Sequence, residues 1–300
     1  MTISPSYLHK GDTVAIVATA RFIAAESLLP VLALFETWGL QVYIHPSLYL
    51  QDHQFAGNDA QRAEMLQDLL DNATIKAIIC ARGGYGTTRI IDQIDFTTFK
   101  NHPKWIAGFS DVTALHARLH RFHIQSLHSI MPVLFDHEQA QLSVRSLKDT
   151  LFGKPNTFHV AAHAYNKKGQ ATAPLIGGNL SIVAHLMGTP DELNTVGKIL
   201  FLEDLDEYLY HIDRMMVQLK RGGKLATLAG LVIGHFTDMK DNPIAFGKNA
   251  LEIIAAHVAE FDFPVCYGFP VGHAYDNLTL ICGANYTLSV TAEGSQLALA

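Results

Sequence analysis

Cysteine is scarce in this chain: Cys80, Cys266 and Cys282 are the only three among 300 residues, and no two are spaced as C-x-x-C. An odd set without that spacing supplies neither a disulfide frame nor a structural zinc site, and it fits a reducing cytoplasm. Long apolar runs are missing too, so no segment is long enough to span a membrane. Basic charge is thin: 22 Lys and Arg face 28 Asp and Glu, for a formal net charge of −6. That argues against a nucleic-acid partner, which requires a basic face. The short run Val14-Ala15-Ile16-Val17-Ala18-Thr19-Ala20 ends like a signal-peptidase site, but Asp12 and a Gly11-Asp12 turn precede it. It reads as a first β-strand rather than a secretory signal. No internal repeat or low-complexity tract is present. What remains is 49% hydrophobic and 17% charged, the composition of a globular protein of one large or two ordinary domains.

Strand-like and helix-like patterns alternate along the first half. Thr13–Val17, Leu40–Ile44 and Ile75–Cys80 read as strands, and Ala24–Trp38, Asp59–Asp71 and Thr87–Gln93 as helices. A fourth strand runs into Gly108-Phe109-Ser110-Asp111, followed by a helix with Leu115, Leu119 and Phe122 at helical spacing. This alternation predicts a parallel, helix-flanked sheet, with chemistry beyond the carboxyl ends of its strands. The pattern weakens over 151–173, where Lys154-Pro155-Asn156 and Asn166-Lys167-Lys168-Gly169-Gln170 are turn-rich. The expected organisation is therefore α/β: residues 1–150 form an N-terminal parallel sheet flanked by helices, and 151–173 a linker. Residues 174–300 form a C-terminal mixed β-rich domain with helices. In that domain Lys198–Leu202 is a strand ending in Glu203-Asp204, a long helix follows from Tyr208 to Gly222, and the tail Leu278–Val290 reads as paired strands.

Ser110 stands on a strand-to-helix corner, where its hydroxyl lies beside unsatisfied backbone N–H groups able to hold an oxyanion. The same corner suits a serine that merely caps the helix. The loop Arg82-Gly83-Gly84-Tyr85-Gly86 reads as a structural turn or as an oxyanion or substrate loop. It lacks a Gly-Lys-Ser/Thr ending, and Arg89 stands where a dinucleotide fingerprint needs glycine, so phosphate cradles fit poorly. A serine nucleophile needs a base and an orienting carboxylate. Among 16 histidines, His273 is bracketed by glycine and proline at a strand end, and Glu203 ends an apolar strand. The order Ser, Glu, His is the one α/β-hydrolases use. A metal alternative rests on His116, His120 and His123, of which the first two have the i, i+4 spacing of zinc proteases without the glutamate. A binding module that performs no chemistry is the rival from a different class.

The motifs Arg82-Gly83-Gly84-Tyr85-Gly86 with Arg89, Gly108-Phe109-Ser110-Asp111-Val112-Thr113, and Gly177-Gly178-Asn179-Leu180 with Gly188-Thr189-Pro190 resemble the serine L,D-carboxypeptidases. So do Leu202-Glu203-Asp204 with Ile212-Asp213-Arg214, and Gly268-Phe269-Pro270-Val271-Gly272-His273 with Asn277. This is the murein tetrapeptide carboxypeptidase family, which also holds the microcin C self-immunity peptidases. The resemblance implies a cytoplasmic bacterial hydrolase of two domains, usually a homodimer, with no metal or other cofactor. By position it makes Ser110 the nucleophile, His273 the general base and Glu203 the orienting carboxylate. The backbone amides of Gly84 and Asp111 become the oxyanion hole, and Arg82 or Arg89 either meets the substrate's terminal carboxylate or braces its loop. The implied substrate is a murein tetrapeptide, cut before its terminal D-alanine. The alternatives within that resemblance are an aminoacyl-nucleotide, cleaved by a microcin-type peptidase, and a peptidoglycan fragment bound without turnover. The chain departs from the family pattern at His128-Ser129-Ile130-Met131, where His-Gly-Pro-Met is usual, at Thr19-Ala20 in place of Pro-Ser, and at His185.

Overall fold

The computed structural model describes residues 2–154 and 157–300; Pro155 and Asn156, part of the turn-rich stretch, lie outside the described residues. The chain divides into two compact units, Met1–Pro155 with Tyr275–Cys282, and Asn156–Ala274 with Gly283–Ala300. The first unit runs β1 (Thr13–Val17), α1 (Leu29–Thr37), β2 (Gln41–Ile44), α2 (Asp59–Asp71), β3 (Ile75–Cys80) and α3 (Thr87–Ile90). It continues with α4 (Thr97–Asn101), β4 (Trp105–Gly108), α5 (Thr113–Arg121), β5 (Ser126–His128) and α6 (Gln141–Leu151). The second unit holds β6 (Thr157–Ala161), β7 (Gly169–Asn179), α7 (Leu180–His185), β8 (Ile199–Leu205), α8 (Leu209–Arg221), β9 (Gly230–Thr237), α9 (Ala250–Val258) and β10 (Val265–Cys266). The chain then returns to the first unit for β11 (Leu280–Cys282) and ends in the second with β12 (Asn285–Val290) and β13 (Gly294–Leu299).

In the first unit a six-stranded sheet has the order β11-β5-β4-β3-β1-β2. β1 to β5 pair in parallel, and β11 adds an antiparallel edge beside β5. Val14–Val17 and Ala77–Cys80 are fully buried, which is why these strands read as continuous apolar runs rather than alternating ones. Strand order reverses between β1 and β3, and in open α/β sheets the carboxyl ends at such a reversal are where ligands bind. α2 starts at a complete capping box: Asn58 Oδ1 accepts from the Gln61 N–H at 2.9 Å, and Gln61 Oε1 accepts from the Asn58 N–H at 3.0 Å. Its inner face buries Met65, Leu66, Leu69 and Leu70, and also Arg62. The helix expected from Ala24 begins as a 3-10 turn, Ala25–Leu28, and becomes α-helical only at Leu29. Pro30 has no N–H to donate, and the first helical turn is the place that tolerates it.

The second unit's seven-stranded sheet, β10-β9-β8-β7-β12-β13-β6, is parallel from β10 to β7 and antiparallel from β7 to β6. The stretch 151–173, expected as a connection, carries β6 and the first residues of β7. β6 and the first residues of β7 are mostly exposed, and β6 buries only Phe158. An edge or one-sided antiparallel strand lacks the apolar run that marks a buried one. The tail also differs from the expected pair over Leu278–Val290. β11 joins β5 in the first unit, whereas β12 pairs with β7 and with β13.

Candidate active site

β4 is buried at every residue and delivers the chain to Ser110, whose φ of +64° lies in the left-handed region. An L-residue there costs about 1–2 kcal/mol, so the surroundings must over-determine it. Ser110 opens a 3-10 turn, Ser110–Val112, and α5 starts at Thr113. Neither start carries a side-chain cap bond, so the N-cap reading is not the geometry adopted. Gly83, at the carboxyl end of β3, packs against this turn. A Cβ at Gly83 would stand 2.9 Å from Ser110 Cβ and 3.0 Å from its Oγ. Only glycine lets the loop come this close.

The residue after the serine braces the corner. Asp111 is 1% exposed, and its Oδ2 accepts from the Thr87 N–H at 2.8 Å, tying the serine turn to the start of α3. Burial pushes its carboxyl above the usual range, while bonds from Thr87 and Gly86 and the nearby Arg62 pull it back. From α5, His116 Nε2 lies 2.9 Å from the Gly108 carbonyl and Nδ1 2.8 Å from Ser126 Oγ. A carbonyl can only accept, so Nε2 carries the proton and Nδ1 accepts from the serine hydroxyl. Burial lowers the His116 pKa to about 4, which keeps the ring neutral. With both nitrogens committed, His116 has none left for a metal. No group of three or more His, Cys, Asp or Glu among the described residues is arranged to hold one.

The two arginines named from sequence are both engaged. Arg89 holds Asp59 through Nε at 3.0 Å and Nη2 at 2.7 Å. Arg82 Nη1 donates to the Phe22 carbonyl at 3.2 Å. Gly84 adopts φ +115° beside the Arg21 stem. A cavity of about 700 Å³ in the same unit is lined by Tyr7, Asp12, Asp71, Lys76, His102 and Lys104, at the amino ends of β1, β3 and β4. It contains none of the candidate residues and lies away from the strand ends where chemistry gathers.

In the second unit, β8 carries Glu203 to a fully buried position, where its Oε2 lies 2.6 Å from His273 Nδ1. The His273 loop approaches over Gly272 (φ +114°), where a Cβ would stand 2.6 Å from Glu203 Cβ and 2.7 Å from its Oε2. Thr237 Oγ1 donates to the His273 carbonyl at 3.1 Å and fixes the loop from β9. Burial by itself would lower the pKa of His273. The charge of Glu203, the bond to it and the charge of Asp204 together outweigh that and raise it. Asp204 accepts from Asn179 Nδ2 and from the Ser181 N–H, each at 2.9 Å. Burial first, and then the charge of Glu203, lift its pKa to about 7.

The structure thus places Ser110, Asp111, Gly84, Arg82 and Arg89 in the first unit, and bonds Glu203 to His273 in the second. Sequence reasoning passed over Asp204 and Arg62. The signal for Arg62 was available: a charged residue stands in the apolar stripe of α2, in register with Leu66 and Leu69.

The description "LD-carboxypeptidase N-terminal domain" matches residues 14–129, and "LD-carboxypeptidase C-terminal domain" matches residues 172–288. A "Probable murein peptide carboxypeptidase" of Bacillus subtilis (strain 168) is 34% identical over 300 residues, covering 98% of this chain and 93% of that protein. The "Murein tetrapeptide carboxypeptidase" of Pseudomonas aeruginosa is 29% identical over 276 residues, with 88% and 89% covered. Among solved structures, a muramoyltetrapeptide carboxypeptidase from Oxalobacter formigenes superposes with a TM-score of 0.87 at 27% identity, covering 96% of this chain and 98% of that one. The microcin C7 self immunity protein MccF shares the fold, with a TM-score of 0.87 at 17% identity and 99% and 98% covered. With both halves matched in order and a relative above 30% identity along nearly the whole chain, the protein belongs to the LD-carboxypeptidase family of peptidases.

Proposed function

We propose that this chain is a serine L,D-carboxypeptidase that releases the terminal D-alanine from murein tetrapeptides during cytoplasmic cell-wall recycling. Ser110 Oγ attacks the carbonyl of the penultimate residue while His273 takes the hydroxyl proton. The carbonyl oxygen becomes an oxyanion, held by the backbone N–H groups of Gly84 and Asp111. Collapse of the tetrahedral species breaks the C–N bond, and His273 returns the proton to the departing amine of D-alanine. Water then cleaves the acyl-Ser110 ester with His273 again as base. Because Nδ1 is the nitrogen bonded to Glu203, Nε2 is the one that handles the serine proton. Arg82 is already engaged by the Phe22 carbonyl and Arg89 by Asp59, which favours bracing over direct capture of the substrate carboxylate.

The observation that carries the reading is the 2.6 Å bond between a fully buried carboxylate and an imidazole, the arrangement that orients a general base. The murein reading draws on relatives with murein names at 34% and 29% identity, against 17% for MccF. Ser110→Ala should release no D-alanine from a murein tetrapeptide, at least about 1,000-fold below the parent, with an unchanged circular dichroism spectrum. Full activity in that variant would end the proposal. A microcin-like aminoacyl-nucleotide offered beside the tetrapeptide separates the two substrate classes, and activity that survives chelation separates both from a metallohydrolase. The reading also includes a homodimer, which sedimentation of the full chain checks.

A further inference from the structure

One peptide plane in the first unit is gripped from both sides. The carbonyl of Gly86 accepts from Arg62 Nη1 at 2.9 Å, and the N–H of Thr87, in the same peptide unit, donates to Asp111 Oδ2 at 2.8 Å. A guanidinium on the oxygen and a carboxylate on the N–H both align with the peptide dipole, and charge-assisted bonds are roughly twice as strong as neutral ones. The carboxylate belongs to the residue next to Ser110. The guanidinium belongs to α2, whose Asp59 also holds Arg89.

Arg62 is built for this position. Its side chain is fully buried, and Nη1 also donates to the Thr19 carbonyl at 2.6 Å, so one nitrogen joins the loop after β1 to the loop after β3. Nε reaches the Gly57 carbonyl at 3.4 Å, and Nη2 pairs with Asp59. Asp59 is in turn held by Arg89, and the Phe55 ring lies 5.0 Å from the Arg62 guanidinium and 5.5 Å from that of Arg89. A Cβ at Gly86 would stand 2.8 Å from Arg62 Nη1, so the last glycine of the loop is the space the guanidinium occupies. Three carbonyls and a carboxylate around one planar fork is a donor pattern lysine cannot reproduce.

We propose that Arg62 is a positioning residue: through the Gly86–Thr87 peptide it sets the glycine loop, and with it the Gly84 amide, against the Ser110 turn. The inference rests on the serine carboxypeptidase reading for its kinetic consequence, but the clamp itself can be tested without any activity. The experiment compares the parent with Arg62→Lys by two readouts: amide hydrogen exchange across 83–88, and D-alanine release per folded molecule. In Arg62→Lys the Thr87 amide, bonded to Asp111 in the parent, should exchange at least about tenfold faster, while amides of β3 and β4 keep their protection. kcat should fall about 10- to 100-fold with KM within about twofold, because a displaced oxyanion donor is felt in the transition state rather than in binding.

If Arg62→Lys fails to fold, Asp59→Asn loosens the same fork from its more accessible side, and the same two readouts should move in the same direction by a few-fold. Unchanged loop exchange in a folded variant would overturn the proposal. So would faster exchange with kcat per folded molecule at the parent value, since a residue that only holds the fold together lowers the amount of enzyme and not its turnover. A parent without D-alanine release, but with faster loop exchange in the variant, would remove the functional reading and leave the clamp standing.

Discussion

The serine corner of the first unit and the imidazole of the second are held by different physics. Ser110 is positioned by backbone: a left-handed φ, the close approach of Gly83, and a web in which Asp111 and His116 grip peptide groups on either side of it. His273 is positioned by charge, through one 2.6 Å bond to a fully buried carboxylate with a second acid adjoining. Conformational strain is therefore concentrated at the nucleophile, and the response to pH at the base. A hydroxyl titrates far outside the working range and must be aimed. An imidazole titrates within it and must also be tuned.

The largest expected effect comes from removing the tuning. Glu203→Gln keeps the shape but strips the main charge that raises the His273 pKa, leaving only that of Asp204 against the lowering effect of burial. The base works only when neutral, so the acid limb of the kcat/KM profile lies above the ordinary histidine value near 6.5 in the parent and moves to lower pH in the variant. Turnover should drop about 100- to 10,000-fold, as when an orienting carboxylate becomes an amide. A limb that stays in place would show that Glu203 does not set the titration of the base.

Gly83→Ala attacks the other side of the comparison. Its methyl, 2.9 Å from Ser110 Cβ, must push the serine turn aside. Turnover should fall about tenfold with the His273-dependent limb unmoved, since misplacement costs rate and not charge. A shifted limb would mean the two regions are not separable in this way.

The smallest effect is one of stability. Ser110→Gly should be more stable than Ser110→Ala by about 1 kcal/mol in urea melts, because glycine carries no penalty at φ +64°. Equal stabilities would show that the corner is not strained.

Much of this was legible because it is local. β1, β3 and α2 occupy the ranges that apolar runs and helical spacing predict, and the glycine loop and serine corner stand at the strand ends where alternation of elements puts them. β6 and the start of β7 escaped notice because one-sided and edge strands resemble polar turns. Arg62 escaped because a lone charge in an apolar stripe looks like an exception, until its carbonyl partners from two other loops are known. His116 shows the reverse: its spacing from His120 suggests a metal, whereas Gly108 and Ser126 absorb both of its nitrogens.

By itself the sequence determined where strands and helices alternate, which corner carries a serine, and which residue types the chemistry could draw on, since period and turn residues act over a few neighbours. Tertiary structure alone decided that β11 closes the edge of the first sheet beside β5, that Glu203 meets an imidazole 70 residues away, and that Arg62 grips the glycine loop. Hydrogen bonds between distant residues follow from how burial folds the chain back on itself, and no local pattern encodes a partner's address.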